Sequence, residues 1–420
     1  MMASIRIEKN LSPTMQQGRS TYRWLSFILP VMIFLLAFLS GSTATAQASS
    51  FRQAFENFVR TDGIQGAAYV MLDLGKISTS DYVGMADVEL KQPVNSSTTF
   101  HWASITKTLT AVAIMQLRDR GQLSLDDPIL KYIPELARMH SNNNDISRVT
   151  LRHLLSHTSG FQDPTWPYRA GKPWEPFEPT EWSQLVAMMP YQELAFTPGS
   201  RFQYSNPAFI YLARVIEKIT GDPYQVYIQK NVLTPLAMTR SFYNVSPYHL
   251  AADRSNSYEI VVDEKSAQTL RSYGREFNTG ITTPNGGLNS PLEDLAKWVG
   301  FLSGASASGS PAILDRKSLE EMWQPVAPVP DSHTPPEFVG LSFFLHPRAS
   351  GKDVVTFVSH TGEQAGFISF FILNPQNGRA VIAAFNTVHA EGESAAAKQA
   401  FNDSMQRFAA LQSQAMAELR

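Results

Sequence analysis

The chain has 420 residues, of which 43% are hydrophobic, and a formal net charge of -2. This length can bury a large core, and the near-neutral charge argues against nucleic acid or an anionic membrane surface as a partner. The sequence contains no cysteine, which excludes thiol nucleophiles, thiolate zinc sites, disulfides and a lipidated amino-terminal cysteine.

Residues 1–46 are predicted to be a signal peptide. A basic residue, Arg23, precedes the apolar run 24–39, and the small residues 44–46 offer a cleavage site. The run is shorter than the ~20 residues of a permanent membrane span, although an uncleaved anchor is the alternative. We therefore expect a protein exported to the periplasm or secreted, with its mature domain over residues 47–420.

Hydrophobic periodicity and turn residues predict the remaining elements in chain order. They are a hairpin over 66–83, helices over 104–120, 150–156, 207–220 and 291–302, strands over 339–345, 354–358, 367–373 and 380–385, and a final helix over 393–419. For the helix over 207–220, Asn206 is the candidate N-cap, Pro207 the first helical residue and Gly221 the residue after its end. Residues 160–198 lack periodicity, which predicts a long surface excursion.

Strands near both chain ends with helices between them predict an α/β (α+β) fold. We expect an antiparallel sheet flanked by helices, with an inserted and mostly helical lobe. The α/β lobe is predicted over about 51–103 and 303–420, and the helical lobe over about 104–302. A cleft between two such lobes is a usual place for a catalytic site.

The first candidate catalytic pair is Ser104 and Lys107, at the start of the helix over 104–120. Residues three apart on a helix share a face, so the amine of Lys107 can lie beside the hydroxyl of Ser104. A serine needs an adjacent base to act as a nucleophile, and a lysine of lowered pKa can serve. The alternative is a helix-capping serine followed by a solvated lysine.

Tyr204 and Asn206 form the second candidate element, in the turn before the helix over 207–220. A phenol beside a cationic group can relay a proton, and an asparagine amide can hold both Lys107 and a substrate amide. The alternative is a packed tyrosine followed by an ordinary N-cap asparagine.

The third element is His360-Thr361-Gly362, between the strands over 354–358 and 367–373. Gly362 lets a substrate backbone approach closely. The following N–H, from Glu363, is expected to join the N–H of Ser104 in an oxyanion hole. The alternative is a plain hairpin turn with a surface histidine.

The combination favours the catalytic interpretation, because each of the three patterns occurs once, in this order and in a fitting structural context. The sequence resembles the serine β-lactamase and penicillin-binding-protein superfamily, in its class C-like branch. Further family phrases are Trp102-Ala103-Ser104, residues 154–160 (Leu-Leu-Ser-His-Thr-Ser-Gly), residues 202–206 and Gly286-Gly287-Leu288. The resemblance covers about residues 51–388.

The resemblance implies a metal-independent, cofactor-free serine hydrolase that acts on a small-molecule or peptide substrate. Ser104 would attack the acyl carbon, Lys107 and Tyr204 would share the base and acid roles, and Asn206 would orient Lys107 and the substrate amide. Backbone groups along Thr361, Gly362 and Glu363 would hold the substrate and its oxyanion. Either Lys107 or Tyr204 can take the first proton.

One departure from the β-lactamases is His360, where that branch usually carries lysine. A histidine is mostly neutral at pH 7, so it pairs poorly with the carboxylate of a β-lactam. Peptidase or esterase activity is therefore favoured over antibiotic hydrolysis. Residues 340–345 also offer no arginine to bind a terminal carboxylate, which weakens the carboxypeptidase interpretation and favours a less polar acyl substrate. The alternatives are a class C-type β-lactamase and a non-catalytic, ligand-capturing protein.

His153 and His157 stand four apart on a predicted helix and could in principle chelate zinc. No glutamate lies between them in the HExxH manner and no third ligand is evident. We therefore expect a structural role at the helix end, and no metal.

Overall fold

The structure is a computed structural model, and it describes residues 50–140, 145–162, 179–304, 313–330 and 336–420. The predicted signal peptide over 1–46 lies outside the described residues, as does the central part of the predicted surface excursion, 163–178.

The described residues contain both helices and strands, and each class is numbered in chain order. The strands β1 to β15 are Gly66–Asp73, Lys76–Asp87, Gln92–Pro93, Thr99–His101, Phe242–Tyr243, Ser257–Val262, Gln268–Gly274, Leu288–Pro291, Ala327–Pro328, Phe338–Val339, Phe344–Ser350, Asp353–Gln364, Phe367–Asn374, Arg379–Phe385 and Thr387–His389. The helices α1 to α10 are Phe51–Thr61, Thr106–Asp119, Leu151–Leu155, Trp182–Met188, Asn206–Thr220, Tyr224–Ile228, Thr283–Gly286, Leu292–Leu302, Arg316–Met322 and Ala395–Glu418.

The main sheet joins strands from the two ends of the described chain. Its strand order is β3-β2-β1-β14-β13-β12-β11-β10-β9, with antiparallel neighbours. Strand β1 pairs with β14, so that Ala67 lies opposite Phe385. Two smaller sheets have the orders β15-β6-β7 and β4-β8-β5. This antiparallel sheet, flanked by helices, confirms the predicted fold class.

Apolar side chains on both faces of the main sheet account for its position between two helical layers. On one face, Phe55 and Phe58 of α1 pack against Phe385 of β14, which also contacts Phe408 of α10. On the other face, β1 and β14 pack on α8, and this core continues into the helices α2 and α5. Strand β13 is buried along its whole length, so the strand beside the candidate motif in β12 is held rigidly.

Several predicted boundaries were wrong. The expected strand over 339–345 is two strands, β10 and β11, because the chain turns between them with Ser342 at a φ of 74°. Strand β12 extends to Gln364, well past the predicted 358, and the turn that follows contains Ala365 at a φ of 48°. The range of about 104–302, for which a mostly helical lobe stays a prediction, also contains β5 to β8. No helix in the described part of the chain is long and apolar enough to cross a bilayer.

Candidate active site

Ser104 lies in a 3-10 turn, Ala103–Ile105, that connects β4 to α2. The helix proper begins at Thr106, two residues later than predicted. Ala103 has a φ of 45°, which costs a non-glycine residue energy and is found disproportionately at functional sites. The turn leaves Ser104 partly exposed between buried neighbours, so its hydroxyl is accessible to a substrate.

Lys107 is fully buried beside this hydroxyl. Its Nζ lies 3.0 Å from Ser104 Oγ and donates a second hydrogen bond, of 2.8 Å, to the main-chain oxygen of Asn285. The same Nζ lies 4.9 Å from the centroid of the Tyr204 ring. The structure therefore brings together the hydroxyl, the amine and the phenol ring that come from distant parts of the sequence.

Asn206 is connected to Lys107 through Asn285. The side-chain Nδ2 of Asn285 donates to Asn206 Oδ1 at 3.2 Å, while its carbonyl accepts from Lys107. The predicted N-cap was wrong: Ser205 caps α5 through Ala208 N–H, and Asn206 is the first helical residue. Ser205 supplies the cap, and the side chain of Asn206 instead accepts the hydrogen bond from Asn285.

His360 lies inside β12 and is 1% exposed, which rules out the alternative of a surface histidine in a hairpin turn. Its Nδ1 donates to Thr361 O at 2.6 Å. Burial, followed by the positive charge of Lys107, lowers the pKa of His360 to about 3. The ring is therefore neutral at physiological pH, and its Nε2, which has no hydrogen-bond partner among the described residues, can accept a hydrogen bond but cannot neutralise a carboxylate.

Gly362 brings β12 against the turn that holds Ser104. A Cβ at this position would lie 2.1 Å from the carbonyl oxygen of Trp102, so only glycine fits. Strand β11 pairs with β12 no further than Ser359, and the backbone from His360 onward pairs with β13 alone. The N–H groups of Glu363 and Ser104, the predicted oxyanion donors, thus belong to two segments in close contact.

Thr361 and Glu363 direct their side chains away from His360, because side chains alternate along a strand. Thr361 pairs with Phe370, whose ring lies in the core under α1 and α10. The carboxyl of Glu363 is half-buried, and burial, together with the charge of Glu391, raises its pKa to about 7. Only the main chain of these two residues is in a position to contact a substrate at Ser104.

Three sets of contacts in the site were not found from the sequence: those of Asn285, of Gln364 and of His157. Asn285 precedes the Gly286-Gly287-Leu288 phrase, which is the one local signal that pointed to it. Gln364 Oε1 lies 3.0 Å from His101 Nε2. None of these contacts can be read from local spacing.

His153 and His157 do not share a helix face, because α3 ends at Leu155 and His157 has a φ of 55°. His153 Nδ1 accepts from Thr150 N–H and completes the capping box of α3. Within the described ranges, no group of three or more His, Asp or Glu side chains could hold a metal ion.

Comparisons with known proteins extend these observations. The sequence model of the Beta-lactamase family matches residues 51–403. Protein flp of Staphylococcus aureus (strain MW2) is 25% identical over 336 residues, which cover 79% of this chain and 61% of flp. Esterase EstB of Burkholderia gladioli is 31% identical over 207 residues, which cover 46% of this chain and 51% of the esterase. The chain thus spans less than two thirds of the length of either relative.

Among solved structures, the octameric penicillin-binding protein homologue from Pyrococcus abyssi superimposes with a TM-score of 0.66 and 24% identity, covering 86% of this chain and 77% of the homologue. The resemblance to β-lactamases and penicillin-binding proteins is confirmed. Because the family match covers most of its length, this chain belongs to the beta-lactamase family.

Proposed function

We propose that this protein is a serine hydrolase in which Ser104 forms an acyl-enzyme with an ester or amide substrate that is uncharged near its scissile carbonyl. The observation that carries the proposal is the 3.0 Å contact between Ser104 Oγ and the buried Lys107 Nζ, beside the ring of Tyr204. A hydroxyl with a base at hydrogen-bonding distance is the arrangement that nucleophilic catalysis requires.

The proposed reaction has two halves. Lys107 or Tyr204 accepts the proton of Ser104 as Oγ bonds to the carbonyl carbon, and the N–H groups of Ser104 and Glu363 hold the oxyanion. The intermediate then expels the alcohol or amine, which receives that proton. A water molecule, deprotonated by the same pair, next attacks the acyl carbon. The bond from that carbon to Ser104 Oγ then breaks, Oγ takes up the proton from the pair, and the carboxylic acid is released.

The neutral state of the His360 ring supports a substrate that is uncharged near its scissile carbonyl. With its pKa lowered to about 3, His360 offers no positive charge to the carboxylate of a β-lactam or of a terminal D-alanine. The partial match to esterase EstB, at 31% identity, points in the same direction. A class C-type β-lactamase, which would gain from a cation at this position, is therefore the second candidate.

A fluorescent fluorophosphonate probe tests the nucleophile directly. We expect covalent labelling of the wild-type protein and none of Ser104→Ala, with Ser80→Ala as the matched control, because Ser80 is exposed on β2. Lys107→Ala is expected to slow labelling at least about 100-fold, since general-base catalysis typically contributes 100-fold or more. The matched Lys131→Ala, at an exposed lysine, should label normally. Normal labelling of Ser104→Ala would refute the assignment.

A substrate panel separates the remaining candidates. We expect turnover of uncharged p-nitrophenyl esters to exceed that of a chromogenic cephalosporin and of a D-Ala-D-Ala peptide. A higher kcat/KM for the cephalosporin would instead favour the β-lactamase. Labelling of Ser104 without turnover of any of the three would favour the non-catalytic, ligand-capturing alternative.

We also propose that the protein is exported. The proposal is supported by the sequence of the leader alone, since residues 1–46 lie outside the described part of the chain. Amino-terminal sequencing of the protein expressed in a bacterium should find a start at residue 47 in the extracytoplasmic fraction. An intact protein that remains in the cytoplasm would contradict export.

A further inference from the structure

We propose that His157 is the positioning residue for Tyr204, and that the rate of acylation depends on it. The inference rests on the proposed function of Ser104, Lys107 and Tyr204. It is carried by three contacts that link one histidine to the phenol ring and to both of its chain neighbours.

The first contact is a ring stack. The imidazole of His157 lies parallel to the ring of Tyr204, with centroids 4.4 Å apart and planes 18° apart. The rings of Phe209 and Phe202 hold the imidazole at centroid distances of 5.1 and 6.0 Å. Because His157 is fully buried, it provides a fixed surface against which Tyr204 can lie.

The other two contacts are hydrogen bonds on either side of Tyr204. The N–H of Gln203 donates to the main-chain oxygen of His157 at 2.8 Å. The N–H of Ser205 donates to His157 Nδ1 at 3.0 Å. One residue thus holds the backbone both before and after the tyrosine, which restricts where the phenol can point.

The backbone of His157 is itself in an unusual conformation. Its φ of 55° lies in the left-handed region, which a side chain with a Cβ adopts at a cost. This conformation follows the end of α3 and turns the imidazole toward the site. Strain of this kind persists only where the surrounding contacts hold it, and the contacts here are those to the segment that contains Tyr204.

The charge state of His157 fits this role. Burial, followed by the positive charge of Lys107 and the proximity of His360, holds the pKa of His157 well below its usual value. The ring is neutral, so the lone pair of Nδ1 remains available to the Ser205 N–H. Protonation would break that hydrogen bond and would place a second positive charge beside Lys107.

An ordinary core histidine would make a different prediction. If His157 only filled space, its removal would lower stability and leave the reaction rate of the folded protein unchanged. A positioning role instead predicts a lower rate in protein that is fully folded, together with a changed pH dependence, because Tyr204 would shift relative to Lys107.

The test compares His157→Ala with His157→Asn. Asparagine tolerates a positive φ, and its Oδ1 can accept the Ser205 N–H where Nδ1 did, but it cannot stack. We expect acylation by a p-nitrophenyl ester to fall about 100-fold in His157→Ala, since small misplacements of catalytic groups cost this much. The acylation rate of His157→Asn should be about 10-fold higher than that of His157→Ala. KM should change little in both variants, and the pH profile of kcat/KM should be altered in both.

His153→Ala is the matched control. His153 lies four residues earlier and completes the capping box of α3, so this variant should lose thermal stability and keep the wild-type rate and pH profile. Wild-type rates and pH profile in folded His157→Ala would overturn the inference. If that variant does not fold, an unchanged His157→Asn would overturn it equally. Absent labelling of wild-type Ser104 would instead refute the proposed function itself.

Discussion

The side chains of His101 and Gln364 meet at 3.0 Å, between His101 Nε2 and Gln364 Oε1. His101 ends the strand that leads to Ser104, and Gln364 directly follows Glu363 at the end of β12. This contact therefore joins the two segments that carry the proposed oxyanion donors. Burial and the charge of Arg254 lower the pKa of His101 to about 4. The His101 ring is therefore neutral near pH 7, and its contact with Gln364 does not change with pH in that range.

Replacement of Gln364 by alanine should misalign the proposed oxyanion hole. We expect kcat for an uncharged ester to fall about 10-fold with little change in KM, because the donors matter most in the transition state. Steady-state kinetics of Gln364→Ala give both constants. Gln268→Ala, at an exposed position in β7, is the matched control. An unaltered kcat for Gln364→Ala would show that the contact does not align the site.

The close approach of Gly362 to Trp102 gives a second prediction. Gly362→Ala would place a Cβ 2.1 Å from the Trp102 carbonyl oxygen, so β12 must move away from the turn that holds Ser104. We expect fluorophosphonate labelling to slow about 100-fold, because displacement of catalytic groups by about 1 Å has effects of this size.

Gly351→Ala is the control for this substitution. Gly351 has a φ of 63° in the turn between β11 and β12, and a Cβ there would meet nothing within 4 Å. The variant should lose about 1 kcal/mol of stability from backbone strain and label at the wild-type rate. Equal labelling of the Gly362 and Gly351 variants would contradict the proposed fit.

The parts of the site that could be predicted from the sequence are those set by local spacing. Ser104 and Lys107 are three residues apart, and the turn of helix between them places the two side chains together whatever the rest of the fold does. The hairpin of β1 and β2 and the helix end at Gly221, with its φ of 74°, likewise depend on neighbouring residues.

The parts that could not be predicted depend on contacts between distant segments. His101 and Gln364 are 263 positions apart, and no local pattern fixes the distance between them. The low pKa of His360 depends on its burial and on Lys107, which only the assembled fold determines. The stack of His157 on Tyr204 could not be predicted from the sequence either, because a histidine that follows a helix is more often a structural residue.

A third prediction concerns stability away from the site. The carboxylate of Asp62, at the end of α1, is buried and accepts hydrogen bonds of 2.7 and 3.0 Å from Arg407 of α10. Arg407→Ala would leave this charge buried without its cation, which should lower the free energy of unfolding by about 3 kcal/mol. Urea denaturation measures the change.

Arg52→Ala is the matched control for Arg407→Ala. Arg52 is exposed in its ion pair with Asp81, so its loss should lower the free energy of unfolding much less than the loss of Arg407 does. Both variants should keep wild-type fluorophosphonate labelling at temperatures where they are folded. Equal losses of stability in the two variants would show that the buried pair stabilises the fold no more than the exposed pair does.

The raised pKa of Glu363, about 7 in the folded protein, predicts a pH-dependent loss of stability. As the pH rises from about 4.5, the carboxyl ionises first in the unfolded chain, which favours unfolding until the folded form also ionises near pH 7. Glu363→Gln removes this effect and keeps the main-chain N–H. Its stability gain over wild type in urea denaturation should therefore be larger at about pH 8 than at about pH 5, by about 2 kcal/mol. The same gain at both pH values would exclude a raised pKa.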